Sequence, residues 1–235
     1  MSEIPDHLSE IGARIDSACD RTGRDRIAVQ LIAVSKTFSV EDIREALGAG
    51  QRIFGESRLQ EAEPKIRELS VELEWHFIGR IQRNKVRKII THFAYIHAVD
   101  SLRLAQYMDG IAGELGLRPK VFLQVDQAGE ESKGGFDPVG LRGNFSRIID
   151  LKHLDVVGLM VIPPAVEVAE LSRQWFCDLR ILRDSLESDF STKLPYLSMG
   201  MSGDFEVAVE EGATHVRVGS AIFGKRDYRV EGELG

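Results

Sequence analysis

A lysine stands directly after an apolar run near the start of the chain, in the stretch LIAVSKTFS that covers residues 31–39. If Lys36 lies in a confined apolar rim, partial loss of hydration favours its neutral amine, which can attack an aldehyde and form a Schiff base. The alternative is a lysine whose stem covers the rim while its ammonium group reaches water. The position at a strand end does not decide between these interpretations, so further features are needed.

Two stretches near the C-terminus, SMGMSGD (residues 198–204) and VRVGSAIFG (residues 216–224), are typical of loops that bind phosphate. Their glycines let the backbone approach an anion, their serines supply hydroxyl donors, and predicted helix starts supply free N–H groups. Asp204 and Glu206 would repel a phosphate dianion unless they face away from it. The alternative is two ordinary helix starts with serine caps. The residues predicted to form the phosphate cradle are Ser198, Met199, Gly200, Ser202, Gly219 and Ser220.

Arg217 lies in the last predicted strand, two residues before Gly219. Strand alternation points both residues to one face, opposite Val216 and Val218. Because burying an arginine without a partner is costly, we expect either a carboxylate such as Glu56 or a ring nitrogen of a cofactor beside it. Together, the strand-end lysine, the phosphate cradle and the inward arginine predict a seat for the aldehyde, the phosphate and the pyridine nitrogen of pyridoxal 5'-phosphate.

These residues need a scaffold, and the chain alternates strand-like runs with helical patterns throughout. Eight strands, each followed by a helix, predict a parallel sheet. An open doubly wound sheet usually carries G-x-G-x-x-G after its first strand, where this chain has Ser35-Lys36-Thr37. We therefore predict an α/β fold, a single (β/α)8 TIM barrel over residues 1–235 with an extra N-terminal helix and the site at the C-terminal strand ends. The predicted strands are IAVQLIAVS, RIFGE, EWHFIG, YIHAV, KVFLQV, LDVVGLMV, PYLSM and THVRVGS.

The composition excludes several classes of function. A formal charge of −7 over 235 residues argues against nucleic acid as a partner, because binding to its backbone needs a basic face. No segment has the length of a membrane span, and the acidic start MSEIPDHLSE lacks the apolar core of a signal peptide. Cys19 and Cys177 lie far apart without the neighbours of a metal site, so no metal is expected. These features predict a cytoplasmic protein, with a monomer as the default state.

A second lysine is predicted to act on the same rim. Lys133 lies in EESKGG after the fifth strand, and the glycines that follow would let its loop move. A carrier must release an aldehyde that it holds covalently, and a nearby amine can displace Lys36 or hold the departing cofactor electrostatically. The alternative is an exposed loop lysine paired with the two preceding glutamates.

At this point the chain resembles the pyridoxal phosphate homeostasis proteins, which are similar to the N-terminal barrel of alanine racemase but carry no second domain. The resemblance covers nearly the whole chain and includes AVSKTF, FGESRLQEA, EWHFIGRIQRNK, HAVDSL, LQVDQAGEESKGG, GLMVIPP and LSMGMSGDFEVAVEEGATHVRVGSAIFGKR. It implies a fold type III barrel with the cofactor on Lys36 and a role in keeping free pyridoxal phosphate safe and available. Apo-enzymes that depend on the cofactor are the protein partners that this role suggests.

The chain departs from the family pattern at two positions. Ser57 stands where the family often has asparagine, and serine is shorter and lacks the amide. Arg80 stands where a proline usually follows HFIG. Arg80 belongs to a basic patch, which is either a solvated helix face or a docking patch for an acidic partner or phosphate. The patch consists of Arg80, Arg83, Lys85, Arg87 and Lys88.

Three functions remain open from the sequence. The first is a cofactor carrier or buffer without catalytic turnover, and the second is a pyridoxal-phosphate-dependent amino-acid racemase or a related enzyme of low activity. The third is a lyase or aldolase that uses Lys36 directly on a sugar phosphate. In the racemases that this barrel resembles, a tyrosine from an additional domain of a partner subunit is the second base, and this chain has no room for that domain. We therefore expect racemase activity to be absent or very slow.

Overall fold

The apolar runs form strands in the computed structural model, which describes residues 3–69, 73–129 and 134–224. The eight strands are β1 Gln30–Val34, β2 Ile53–Glu56, β3 Glu74–Phe77, β4 Tyr95–Val99, β5 Lys120–Val125, β6 Asp155–Val161, β7 Tyr196–Met201 and β8 His215–Val218. All neighbours pair in parallel and in sequence order. The barrel closes where β8 pairs with β1, with Arg217 beside Ile32. The predicted (β/α)8 barrel is confirmed.

Helices connect the strands around the outside of the barrel, and one helix precedes β1, as predicted. The α-helices are α1 Ile4–Thr22, α2 Val40–Gly48, α3 Leu59–Glu68, α4 Val86–His92, α5 Leu102–Leu115, α6 Pro138–Ile149, α7 Arg173–Phe190, α8 Phe205–Glu210 and α9 Ser220–Phe223. Local sequence sets where they begin. The side chain of Asp137 accepts a hydrogen bond from the backbone N–H of Gly140 at the start of α6, and Pro138 follows it in the first turn. Among the residues that the structure describes, no helix is both long and apolar enough to cross a bilayer.

Strand alternation divides the side chains between two cores. Residues such as Phe54, Ile96 and Val216 are fully buried in the hydrophobic core. The barrel interior is different. Below the C-terminal ends of the strands it holds aromatic and titratable side chains that contact one another. This interior group consists of His76, Tyr95, His97, Phe122, Tyr196, Ser198, His215 and Arg217. The interior of a TIM barrel is a packed core, so each of these polar groups needs a partner inside it.

Candidate functional site

A cavity of about 270 Å³ opens at the C-terminal mouth of the barrel, between the ends of β1, β7 and β8. Active sites of TIM barrels lie at this mouth. Lys36 and Arg217 both line the cavity, together with parts of the two loops predicted to bind phosphate. The remaining lining residues are Val34, Ile78, Ile162, Met201, Ser202, Gly203, Gly219 and Ser220.

Lys36 is placed by a sharp change of backbone direction. It follows β1 and precedes Ser39, whose side chain and backbone form a capping box with Asp42 at the start of α2. Between them, Thr37 has φ 70, in the left-handed region that a β-branched residue rarely adopts. Such strain costs of order 1–3 kcal/mol and persists only where the surroundings impose it. The side chain of Lys36 is half-buried at the cavity wall.

A buried ion pair anchors the backbone just before Lys36. The ammonium group of Lys65 on α3 donates hydrogen bonds of 2.8 Å to the carbonyl oxygen of Ser35 and of 2.8 Å to Oε1 of Glu56. The hydroxyl of Ser35 also donates to Oε1 of Glu56, at 2.8 Å. Lys65 and Glu56 are both buried. Burial raises the pKa of the Glu56 carboxyl, and the adjacent Lys65 opposes that shift.

The sequence analysis did not identify Lys65. A signal was present, because Lys65 continues the buried helical spacing of Leu59 and Ala62, where an apolar residue is expected. A lysine in such a stripe needs an internal acceptor. The structure supplies Glu56 as this acceptor. Glu56 contacts Lys65 and Ser35 and is not the partner of Arg217 that strand alternation allowed.

The loops after β7 and β8 are joined by one serine. Oγ of Ser202 accepts hydrogen bonds from the N–H groups of Gly219 at 3.2 Å and Ala221 at 3.4 Å. Its own O–H can still donate toward the cavity. Within the described ranges, the backbone N–H groups of Ser202, Gly203 and Ser220 have no hydrogen-bond acceptor. Successive free N–H groups of this kind are suited to an anion.

The two acidic residues near this loop face away from the cavity. The carboxylate of Asp204 accepts hydrogen bonds from the N–H of Met201 at 2.7 Å and from the hydroxyl of Ser172 at 3.0 Å. Glu206 forms an ion pair of 2.8 Å with Arg14 on α1. The repulsion that these carboxylates could exert on a bound phosphate is therefore reduced.

Three residues of the predicted phosphate cradle are not among the cavity lining. Ser198, Met199 and Gly200 belong to β7, which extends to Met201, and the pairing of β7 with β8 shifts register between Ser198 and Met201. Met199 is fully buried in the hydrophobic core. Gly200 has φ 91, and a Cβ there would lie 2.5 Å from Cβ of Ala208 on α8. Ser198 is buried inside the barrel below the cavity. These placements favour supporting roles over direct contact with a ligand.

Arg217 forms the floor of the cavity. Its guanidinium donates hydrogen bonds to Oγ of Ser198 at 2.5 Å and to the carbonyl oxygen of Val161 at 2.9 Å. Burial lowers the pKa of this guanidinium to about 10, so the group stays cationic at neutral pH. Gly219 lies one layer above, where an added Cβ would be 3.3 Å from Cβ of Val34. The strand-alternation argument for an inward Arg217 agrees with this placement.

The other predicted residues lie apart from this cavity or outside the description. Lys133 falls in residues 130–133, outside the described ranges. Ser57 and Arg80 line a second cavity of about 230 Å³ beside α3, with Lys85. In the basic patch, Arg87 forms an ion pair with Glu114. Lys88 forms one of 2.8 Å with Glu63.

The main cavity has the chemical features that pyridoxal 5'-phosphate requires. An amine lies at the end of β1, free N–H and O–H groups lie at the ends of β7 and β8, and a cationic donor forms the floor. Ile78 and Ile162 supply apolar walls for a flat ring. The volume lies just below the range of roughly 300–1,000 Å³ that is usual for small-molecule sites.

Comparison with known proteins gives a consistent result. The family model described as "Alanine racemase, N-terminal domain" matches residues 7–227. The pyridoxal phosphate homeostasis protein of Aquifex aeolicus is 43% identical over 224 residues, which are 95% of this chain and 98% of the relative. The structure of PipY from Synechococcus elongatus with PLP bound is 44% identical with a TM-score of 0.82, and it covers 91% of this chain and 100% of PipY. Alanine racemase of Clostridium difficile in complex with cycloserine shares the fold with a TM-score of 0.72 at 16% identity, over 91% of this chain and 58% of the racemase.

Proposed function

The chain belongs to the pyridoxal phosphate homeostasis proteins, within the alanine racemase N-terminal domain family, and we propose that it binds pyridoxal 5'-phosphate and takes part in the homeostasis of this cofactor. When bound, the cofactor supplies an aldehyde that can form a Schiff base with an amine. We propose that this amine is Lys36. The observation that carries the proposal is that one cavity is lined by Lys36, Arg217 and the loops after β7 and β8.

The residues of the chain have separate tasks in this proposal. Lys36 presents its amine from a strained turn that the buried ion pair beneath it holds in place. The N–H groups of Ser202, Gly203 and Ser220 would hold the phosphate, and the hydroxyl of Ser202 would add a donor. Arg217 would donate a hydrogen bond to the pyridine nitrogen of the bound cofactor. Since a cationic donor disfavours protonation of that nitrogen, the ring becomes a weaker electron sink.

A carrier role is favoured over racemisation by the positions of the tyrosines. Racemisation requires a base on each face of the substrate carbanion. Tyr95 and Tyr196 are the first residues of β4 and β7, at the opposite end of the barrel from Lys36, and Tyr107 lies on α5. Tyr228 lies outside the described ranges. We therefore propose that the protein holds the cofactor without appreciable turnover and supplies it to apo-enzymes.

A binding experiment tests the proposal. Purified protein is incubated with pyridoxal 5'-phosphate, passed through a desalting column and examined for a yellow absorption band. We expect the native protein and the control variant Lys85→Ala to retain the band and Lys36→Ala to lose it. Lys85 is a matched control because it is another lysine near the same mouth of the barrel, in the neighbouring cavity. Equal retention by Lys36→Ala would contradict the proposed attachment.

Exchange of the α-proton of alanine in deuterated buffer separates the carrier from the racemase. The carrier interpretation predicts exchange by the loaded native protein far below roughly 1 per second, the lower end of ordinary enzyme turnover. Exchange at or above that rate would favour the racemase. A native protein that binds no cofactor would point instead to direct chemistry of Lys36 on a sugar phosphate.

A further inference from the structure

A continuous chain of hydrogen bonds runs through the barrel below the proposed cofactor site. Arg217 is bonded to Oγ of Ser198 at 2.5 Å, and this Oγ lies 2.8 Å from Nδ1 of His97. Nε2 of His97 lies 2.9 Å from Nδ1 of His76. Nε2 of His76 lies 2.8 Å from Oε1 of Glu74, which is partly exposed at the opposite end of the barrel. Four strands contribute one or two members each, so this hydrogen-bond chain depends on the closed fold.

The chemistry of its two ends gives the chain a single direction. A guanidinium can only donate and an ionised carboxylate can only accept. The hydrogen bond from His76 lowers the pKa of the Glu74 carboxyl, so that end is ionised at neutral pH. Since a neutral imidazole carries one ring proton, a neutral His76 donates from Nε2 and accepts at Nδ1. A neutral His97 then donates from Nε2, and Ser198 donates to Nδ1 of His97. Every hydrogen bond therefore points from Arg217 toward Glu74.

The two histidines are suited to this role because they stay neutral. Burial lowers the pKa of His76, and burial lowers the pKa of His97 well below its usual range. Lys120 approaches the same region, with its ammonium 4.9 Å from the ring centre of Tyr95, which stacks on His76. His215 also contacts His76. The ammonium of Lys120 further disfavours a positive charge on His76, and His215 and Arg217 further disfavour one on His97.

The charge of Arg217 raises the question of its counter-charge. In the part of the chain that the structure describes, no carboxylate oxygen lies within ion-pair distance of its guanidinium, although Asp204 acts on it from farther away. Aligned dipoles can stabilise a buried charge when each member of a network is satisfied. The hydrogen-bond chain from Arg217 to Glu74 provides such an alignment.

We propose that Ser198, His97 and His76 are positioning residues, which link Arg217 to Glu74 as its remote counter-charge and thereby hold the guanidinium ready to donate to the cofactor ring. The proposal rests on the proposed function for its last step, the contact of Arg217 with the ring nitrogen. The direction of the chain itself is a property of the protein without cofactor. The two parts can therefore be tested separately.

Nitrogen-15 NMR of the native apo-protein tests the direction. Protein labelled at its histidine ring nitrogens is expected to show His76 and His97 as neutral tautomers with the proton on Nε2 at neutral pH. Detection of either ring in the Nδ1–H tautomer or as the imidazolium would overturn the proposal. This measurement needs no substitution and no cofactor, so its outcome is independent of the proposed function.

Cofactor affinity tests the consequence, with a matched histidine as control. His97→Phe keeps an aromatic ring against Phe122, which His97 stacks on with a centroid distance of 4.3 Å, but it breaks the chain. His215→Phe changes the same residue type in the same interior, and His215 is not a member of the hydrogen-bond chain. We expect His97→Phe and Ser198→Ala each to weaken binding about tenfold, the equivalent of one lost hydrogen bond to a charged group, and His215→Phe to leave it within about twofold.

Equal losses in His97→Phe and His215→Phe would reduce the effect to packing and overturn the proposal. Unchanged affinity in both His97→Phe and Ser198→Ala would also overturn it. If a variant fails to fold, the tautomer measurement on native protein decides. A native protein that shows the expected tautomers but binds no cofactor would refute the proposed function and leave the direction of the chain intact.

Discussion

Replacement of Lys65 by methionine should destabilise the barrel and disturb the turn that carries Lys36. Methionine retains an unbranched apolar stem of similar length but removes the ammonium group. The carbonyl oxygen of Ser35 and Oε1 of Glu56 each lose a hydrogen bond of 2.8 Å. Glu56 is fully buried and its Oε2 already has no partner in the described structure. The variant therefore leaves a buried carboxylate with the hydroxyl of Ser35 as its remaining donor.

The magnitude follows from what is left unpaired. Removing one partner of a buried ion pair costs about 3–5 kcal/mol, because the other charge stays buried. That is a large part of the roughly 5–15 kcal/mol by which domains are stable. Loss of the ammonium also raises the pKa of Glu56 further above its unfolded value. Stability contributed by a raised carboxyl pKa is present below the unfolded pKa and is lost as pH rises, so Lys65→Met should lose less stability at about pH 5 than at about pH 7.5.

Urea denaturation of the apo-proteins measures this effect, with the double variant Glu56→Gln/Lys65→Met as the control. The double variant removes both charges and should recover most of the loss at neutral pH. A cost below about 1 kcal/mol for Lys65→Met alone, the size of an exposed ion pair, would refute the buried-pair reasoning. A cost that grows as pH falls would also refute it.

Three further predictions concern Gly203, Gly79 and Lys133. Gly203→Ala should leave the free energy of unfolding nearly unchanged, since a Cβ at Gly203 meets nothing within 4 Å. It should weaken cofactor binding by narrowing the loop after β7. Equal cofactor affinities of the native protein and the variant in a titration would remove Gly203 from the phosphate cradle. Gly79→Ala should destabilise by at least about 3 kcal/mol in urea, because its Cβ would lie 2.0 Å from the carbonyl oxygen of Ser57, and a mild cost would contradict that close approach. Lys133→Ala should retain bound cofactor but alter the rate at which an apo-enzyme is reactivated, measured by coupled assay; unchanged transfer and affinity would make Lys133 an ordinary surface residue.

The sequence was sufficient to predict the barrel and the positions of Lys36 and Arg217 within it. Eight alternations of strand and helix predicted the closed sheet, and the period of two along β8 placed Arg217 inside it. Lys36 could be located because a lysine directly after an apolar run marks the end of a strand. The family was also identified correctly from its motifs, and the matches to relatives confirm it.

Features that depend on contacts between distant strands could not be predicted. The pairing of β7 with β8 shifts register between Ser198 and Met201, and Met201 lines the cavity whereas Ser198 does not. Gly200 is the one local signal in SMGMSGD for such an irregularity, because a glycine inside a strand often marks a bulge, but it does not give the register. His97 and Ser198 are 101 positions apart in sequence, and their hydrogen bond exists only because the barrel closes. Lys65 showed a local signal, but its acceptor depends on how α3 packs against β2.

Mapping the lysine that forms the Schiff base tests the central proposal most directly. Native protein loaded with pyridoxal 5'-phosphate is reduced with borohydride, digested and analysed by mass spectrometry, alongside Lys36→Ala treated in the same way. We predict one stable adduct on Lys36 in the native protein and no comparable adduct in the variant. A native adduct that maps mainly to another lysine would contradict the proposed site.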